Sequence, residues 1–128
     1  MSRRAYEDLG ELQQAVLEVV WTVGEATVNQ VKSKLSRRKL AYTTILSVMQ
    51  KLDRAGWLTH REEGRAYVYR AAEPARSLAA RAVRQIIDGL CKGSVEELVS
   101  GMVEAKVLSR GEMDRLEEFV RANRRGDK

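Results

Sequence analysis

The 128-residue chain has one cysteine, one proline, one histidine and one phenylalanine. A single cysteine excludes an intrachain disulfide framework and any thiolate cage for zinc or iron–sulfur within one copy, and it suits a reducing cytoplasm. With one histidine there is no His pair at i, i+4, and the sequence has neither a nucleophile elbow nor a glycine loop to cradle phosphate. A non-enzymatic protein is expected, with no cofactor and no metal. No stretch approaches the roughly 18 apolar residues of a membrane span, and residues 1–10 carry two arginines with no apolar run behind them. The expectation is a soluble, cytoplasmic chain without a membrane partner. Aromatics make up only 5%, while Ala, Leu, Val, Glu and Arg dominate, which favours helix.

The net charge of +5 is unevenly placed. Residues 1–31 hold 2 basic and 5 acidic side chains, residues 32–70 hold 10 and 3, and residues 71–128 hold 11 and 10. A basic middle of this kind is an electrostatic footprint of nucleic-acid binding, because neutralising phosphates releases condensed counterions.

Leu12, Val16, Val19, Val20 and Val23 fall on one helical face, so a helix is expected over Leu9–Val23, with Asp8 and Glu11 as a capping box and Gly24 as its stop. Thr27 with Gln30 starts a second, short helix carrying Val28, Val31 and Leu35. Ile45, Val48, Met49 and Leu52 form the stripe of a third, Tyr42–Ala55, which Gly56 ends. Opposite that stripe lie Thr43, Ser47, Gln50 and Arg54, flanked by Thr44 and Lys51 on one side and Leu46 on the other. The period then changes: 57–62 and 66–70 read as a two-stranded ribbon around Glu63–Gly64, with Tyr67 and Tyr69 on one face as packing. Trp21 and Trp57 are read as core, and His60 as a surface residue of the ribbon.

Pro74 marks a boundary, so the expected domains are 1–73 and 74–128. Three helices are expected beyond it, the last two opened by capping boxes at Ser94/Glu97 and Ser109/Glu112. About 50 residues cannot bury their own apolar stripes. Val83, Ile86, Ile87, Leu90, Leu98, Val99, Met102, Val103, Leu116 and Phe119 are therefore expected to form a core shared with a second copy.

Helix, short helix, turn, polar-faced helix and basic hairpin, in that order, is the layout of a winged helix-turn-helix. The fold expected is mainly α with a small β-hairpin wing: an N-terminal winged helix-turn-helix and a C-terminal three-helix dimerisation segment. Thr43, Thr44, Ser47 and Gln50 can read base edges in a major groove. Lys39, Tyr42, Lys51, Arg54, Arg61 and Arg65 are candidates for the phosphate backbone.

The segments Leu9-Gly-Glu-Leu12, Gly24-Glu-Ala-Thr-Val28, Ala41-Tyr-Thr-Thr-Ile45 and Gly64-Arg-Ala-Tyr67 resemble the penicillinase-repressor family, the BlaI/MecI/CopY group of winged-helix repressors, from about Leu9 to Val120. The resemblance implies a homodimer that represses transcription from a palindromic double-stranded operator. It also implies release by a sensor protease in drug-responsive members or by metal in copper-responsive ones. This sequence departs from both: Cys91 stands alone where copper-responsive members have a cysteine-rich motif, and Gly101-Met102 aligns with the Asn-Phe pair that is cut in drug-responsive members. Leu46 and Thr43 also stand where some members carry cations, which shifts the half-site preferred. The competing reading is a winged-helix protein used for assembly, or as a small-ligand regulator, without strong direct DNA specificity.

Overall fold

The computed structural model describes residues 5–124; the extremes of the expected domains, 1–4 and 125–128, lie outside them. Its elements are α1 (Glu11–Val23), β1 (Glu25–Ala26), α2 (Val28–Lys34), α3 (Tyr42–Arg54), β2 (Leu58–Glu63), β3 (Ala66–Ala71), α4 (Ala75–Gly89), α5 (Val95–Glu104) and α6 (Arg110–Asn123). This is the mainly helical, winged architecture expected. The chain divides within α4, after Ala79, into two compact units.

In the first unit the start of α1 differs from expectation. Tyr6–Asp8 curl into a 3-10 turn and Leu9 is buried in the core, so the helix begins only after Gly10. Asp8 is therefore not the cap. The Gln13 side chain accepts from the Gly10 N–H at 2.9 Å, which is the half of a capping box that a glycine can make. The Tyr6 hydroxyl donates to Glu18 at 2.9 Å, and burial, then Glu18, push its pKa up to about 12. At α2 the expected box forms in full: Thr27 Oγ1 accepts from the Gln30 N–H at 3.2 Å, and Gln30 Oε1 accepts from the Thr27 N–H at 2.8 Å.

The sheet has three strands, in the order β1-β3-β2, where two were expected. Glu25 and Ala26 pair with Arg70 and Tyr69 on the free side of β3. Two residues carry no detectable period, which is why the strand escaped the pattern. On the other side β2 runs antiparallel from Leu58↔Ala71 to Glu63↔Ala66, and Gly64 takes φ 63° in the turn that follows.

The core joins Val16, Leu17 and Val20 of α1 to Ala26, Val28, Val31, Ile45, Met49, Leu52, Trp57, Leu58 and Tyr69. Leu17 is fully buried and Val23 is 41% exposed, so the buried face of α1 is turned from the expected stripe toward Leu17. Trp57 is core as expected, whereas Trp21 is half-buried and its indole N–H donates to the Glu73 carbonyl at 3.1 Å. Tyr69 is buried, but Tyr67 on the same strand is 43% exposed.

In the second unit Ser94 and Ser109 cap α5 and α6 through the N–H groups of Glu97 and Glu112, at 3.0 and 3.1 Å. Only Ser109 completes a reciprocal box, with Glu112 accepting from its N–H at 2.9 Å. Glu97 makes no such return bond, since the Ser94 N–H donates instead to the Cys91 carbonyl at 2.9 Å. Gly101 and Met102 lie inside α5, their carbonyls accepting from Ala105 and Val107 at 2.9 Å. Among the described residues no helix is long and apolar enough to cross a membrane.

Leu52→Ala should cost about 2–5 kcal/mol of stability and Val23→Ala well under about 1 kcal/mol, measured by urea unfolding followed through tryptophan fluorescence. Equal losses would contradict the observed rotation of α1 and α3 into the core.

Candidate nucleic-acid interface

The helix-turn-helix is made by α2, a 3-10 turn at Ser36–Arg38, and α3. Lys39 closes that turn in the left-handed conformation, φ 53° and ψ 44°, which an L-residue adopts only at some cost. Ala41 is the extended residue before α3.

Ile45, Met49 and Leu52 are fully buried, with Leu46 and Val48 half-buried beside them. The other side of α3 presents Thr43, Thr44, Ser47 and Gln50, all exposed, followed by exposed Lys51 and Arg54 in the last turn. Tyr42 is 44% exposed at the first turn. The four base-reading candidates thus share one free helical face with two of the backbone candidates. Lys39 lies on the turn leading into α3, and Arg65 at the tip of the hairpin.

Arg61 is in a different state. Its guanidinium donates to Glu25 at 2.7 Å and reaches Glu63 at 3.4 Å. Glu25 is on β1 and Arg61 on β2, so the pair spans the central strand β3. The hydrogen bond from Arg61 holds the Glu25 carboxyl below the usual carboxylate range, and Glu25 raises the guanidinium in return. A second pair ties the turn before α3 to the start of α1: Arg38 donates from both Nη atoms to Glu11, at 3.0 and 2.6 Å, and holds that carboxyl low. A third joins His60 Nδ1 on β2 to Asp53 on α3.

Sequence reading missed these pairs because their partners are far apart in the chain, or, for Asp53 and His60, separated by a turn whose geometry has no period. It also missed a groove of about 450 Å³ lined by Asn29, Lys32, Ser33, Ser36, Lys39 and Leu40, along α2 and the turn. The exposed polar side of α2 was its one legible signal. Among the described residues no cluster of three His, Cys, Asp or Glu could hold a metal, and Cys91 is a free, partly exposed thiol.

The family described as penicillinase repressor matches residues 9–122. The chain belongs to that family. Within it, the transcriptional regulator BlaI of Mycobacterium tuberculosis is 41% identical over 63 residues, 48% of this chain and 46% of that regulator. The chain thus spans about half the length of this curated relative. The solution structure of the DNA-binding domain of the repressor BlaI is 26% identical with TM-score 0.50, covering 57% of this chain and 88% of that domain. A cysteine-to-serine mutant of MarR from E. coli, solved with operator DNA, shares the fold at 16% identity and TM-score 0.50, over 91% of this chain and 76% of that one.

Since the Glu25 carboxyl is held low, the stability it contributes is present above the ordinary carboxylate range and is lost as the pH falls through and below it. Glu25→Gln should therefore lower the thermal midpoint slightly at neutral pH, and the difference from wild type should vanish in acid. A difference that persists unchanged at low pH would show that Arg61 does not act on Glu25 through charge.

Proposed function

We propose that this chain is a non-enzymatic transcriptional repressor of the cytoplasm that binds a palindromic double-stranded operator as a homodimer. The observation that carries the reading is the free face of α3: four hydrogen-bonding side chains, with no apolar residue among them, beside cations that have no ion pair among the described residues. A major groove about 12 Å wide accepts one helix, and Thr, Ser and Gln can meet base edges there. Thr43, Thr44, Ser47 and Gln50 are the proposed readers. Lys39, Lys51, Arg54 and Arg65 supply affinity and register on phosphates, with Tyr42 able to donate its hydroxyl to one. Arg61, already neutralised by Glu25 and Glu63, serves the wing as a strut before it serves DNA. Membership of the penicillinase repressor family and the likeness to the BlaI DNA-binding domain support the reading.

The dimer is supported by what the second unit leaves uncovered. Leu90 is 85% exposed, Phe119 65% and Val107 61%, with Val83, Ile86, Val99, Val103 and Leu116 each about half as exposed as Leu90. Leu98 and Met102 are half-buried, and Ile87 is buried. Two copies joined there would present two α3 helices to half-sites about one helical turn apart, roughly 34 Å. A protease partner acting at Gly101-Met102 would first have to unwind α5.

Duplexes enriched from a random pool by the full chain should bind more tightly than scrambled versions at physiological salt, measured by fluorescence anisotropy. On the enriched duplex Gln50→Ala should cost about 1–3 kcal/mol and on the scrambled one far less. Arg65→Ala should weaken both and reduce the salt slope by about one unit. Equal affinity of the wild type for both duplexes would remove the DNA-reading proposal.

Sedimentation of the full chain at micromolar concentration should give a dimer, and the pair Leu90→Glu with Phe119→Glu a folded monomer. A wild-type monomer, or a dimer indifferent to both substitutions, would remove the C-terminal interface.

A further inference from the structure

Asp53 occupies the last turn of α3, where the helix dipole is unfavourable to a carboxylate. Its side chain is only 26% exposed, and it accepts from His60 Nδ1 on β2. The imidazole is held from its other sides too. His60 lies opposite Tyr69 in the ladder, its ring 5.5 Å from that of Tyr69 and 4.7 Å from that of Tyr67. Tyr69 is itself anchored in the core. The link between the two elements is short: Trp57 N–H donates back to the Leu52 carbonyl at 2.8 Å, and Gly56 turns at φ 90°. Beyond Leu58 every residue of β2 is exposed, so contacts beside its base set how the hairpin leaves the core.

We propose that Asp53 and His60 form a positioning clasp that fixes the hairpin relative to α3, so that Arg65 at its tip and the polar face of α3 meet one duplex in register. The proposal rests on the DNA-reading function above. An imidazole carrying a proton on Nδ1 donates to the carboxylate whether or not the ring is charged, so the clasp does not depend on the ring's charge. Beside Asp53, the ring meets the ionisable side chains of Tyr67 and Tyr69 on β3. Burial first, and Asp53 second, push the Tyr69 hydroxyl up, consistent with a carboxylate directed into this cluster.

Positioning and bare charge predict different results. Added positive charge alone raises affinity for every duplex and leaves the ratio between enriched and scrambled sequence unchanged. A clasp raises that ratio. In the full chain that ratio should fall about two- to five-fold on His60→Ala and on Asp53→Ala, the range expected of one exposed pair. The double substitution should lose no more than the larger single loss. Both positions are partly exposed, so thermal unfolding should confirm that the variants fold. If no duplex is enriched, the DNA-reading function and the clasp fall together. If one is enriched but neither substitution lowers the ratio, or the two losses simply add, the clasp alone is overturned.

Discussion

Ile45, Met49 and Leu52 are held out of solvent among Val16, Leu17 and Val20 of α1, Val31 of α2 and the base of the sheet. Burying each such side chain is worth roughly 1.5–3 kcal/mol, and together they fix the rotation of α3 about its axis. Turning the helix by one residue, about 100°, would drive Leu46 inward and carry Gln50 toward a core that offers its amide no partner. Burying an unpartnered amide costs roughly 2–7 kcal/mol, so the alternative rotation is disfavoured from both directions. The outward face of α3 is thus set by what lies beneath it, and its four polar side chains are delivered to solvent as a group.

Charge is divided into two kinds around that face. Arg38 with Glu11, Arg61 with Glu25, and His60 with Asp53 each join two elements: the turn to α1, β2 to β1, and β2 to α3. Exposed pairs contribute little to global stability. Their value here is geometric, since each ties down a part of the helix-turn-helix or wing that apolar packing reaches poorly. Lys39, Lys51, Arg54 and Arg65 have no such partner among the described residues. A cation already bonded to a carboxylate has little to gain from a phosphate, so the net charge of the middle segment overstates what is available to DNA.

Much of this could be read directly from residue order. Thr27 and Gln30 name the start of α2, Gly56 and Gly64 name two turns, and the period of Ile45, Met49 and Leu52 reveals the buried side of α3, because these signals are local. Leu17 was missed since its neighbours gave an equally regular stripe, and only tertiary packing selects between two faces of an apolar helix. Asp8 mimicked a cap because Tyr6–Asp8 could curl and bury Leu9, a long-range event. Strand β1 and the partners of Arg61 and His60 depend on β3 lying between or beside them, and no spacing rule encodes that arrangement. The exposed polar face of α3 was legible, then, while the states of pairing around it were not.

The second unit poses the opposite problem from the first. Between Val83 and Val120, ten large apolar side chains are at least 39% exposed, whereas among its described residues the larger first unit exposes only Val23, Tyr42 and Tyr67 to a similar degree. Leaving so many apolar groups in water is unfavourable and invites association. They recur at helical spacing along α4, α5 and α6, and a partner that buries them must offer apolar helical ridges of its own. A second copy supplies such ridges at guaranteed stoichiometry. An interface made of the same patch on both copies is closed by a two-fold axis, which stops assembly at two. In the proposed dimer that axis would also be the symmetry of a palindrome, so the feature that would otherwise make the C-terminal segment aggregate is the one that would give the proposed reader two half-sites.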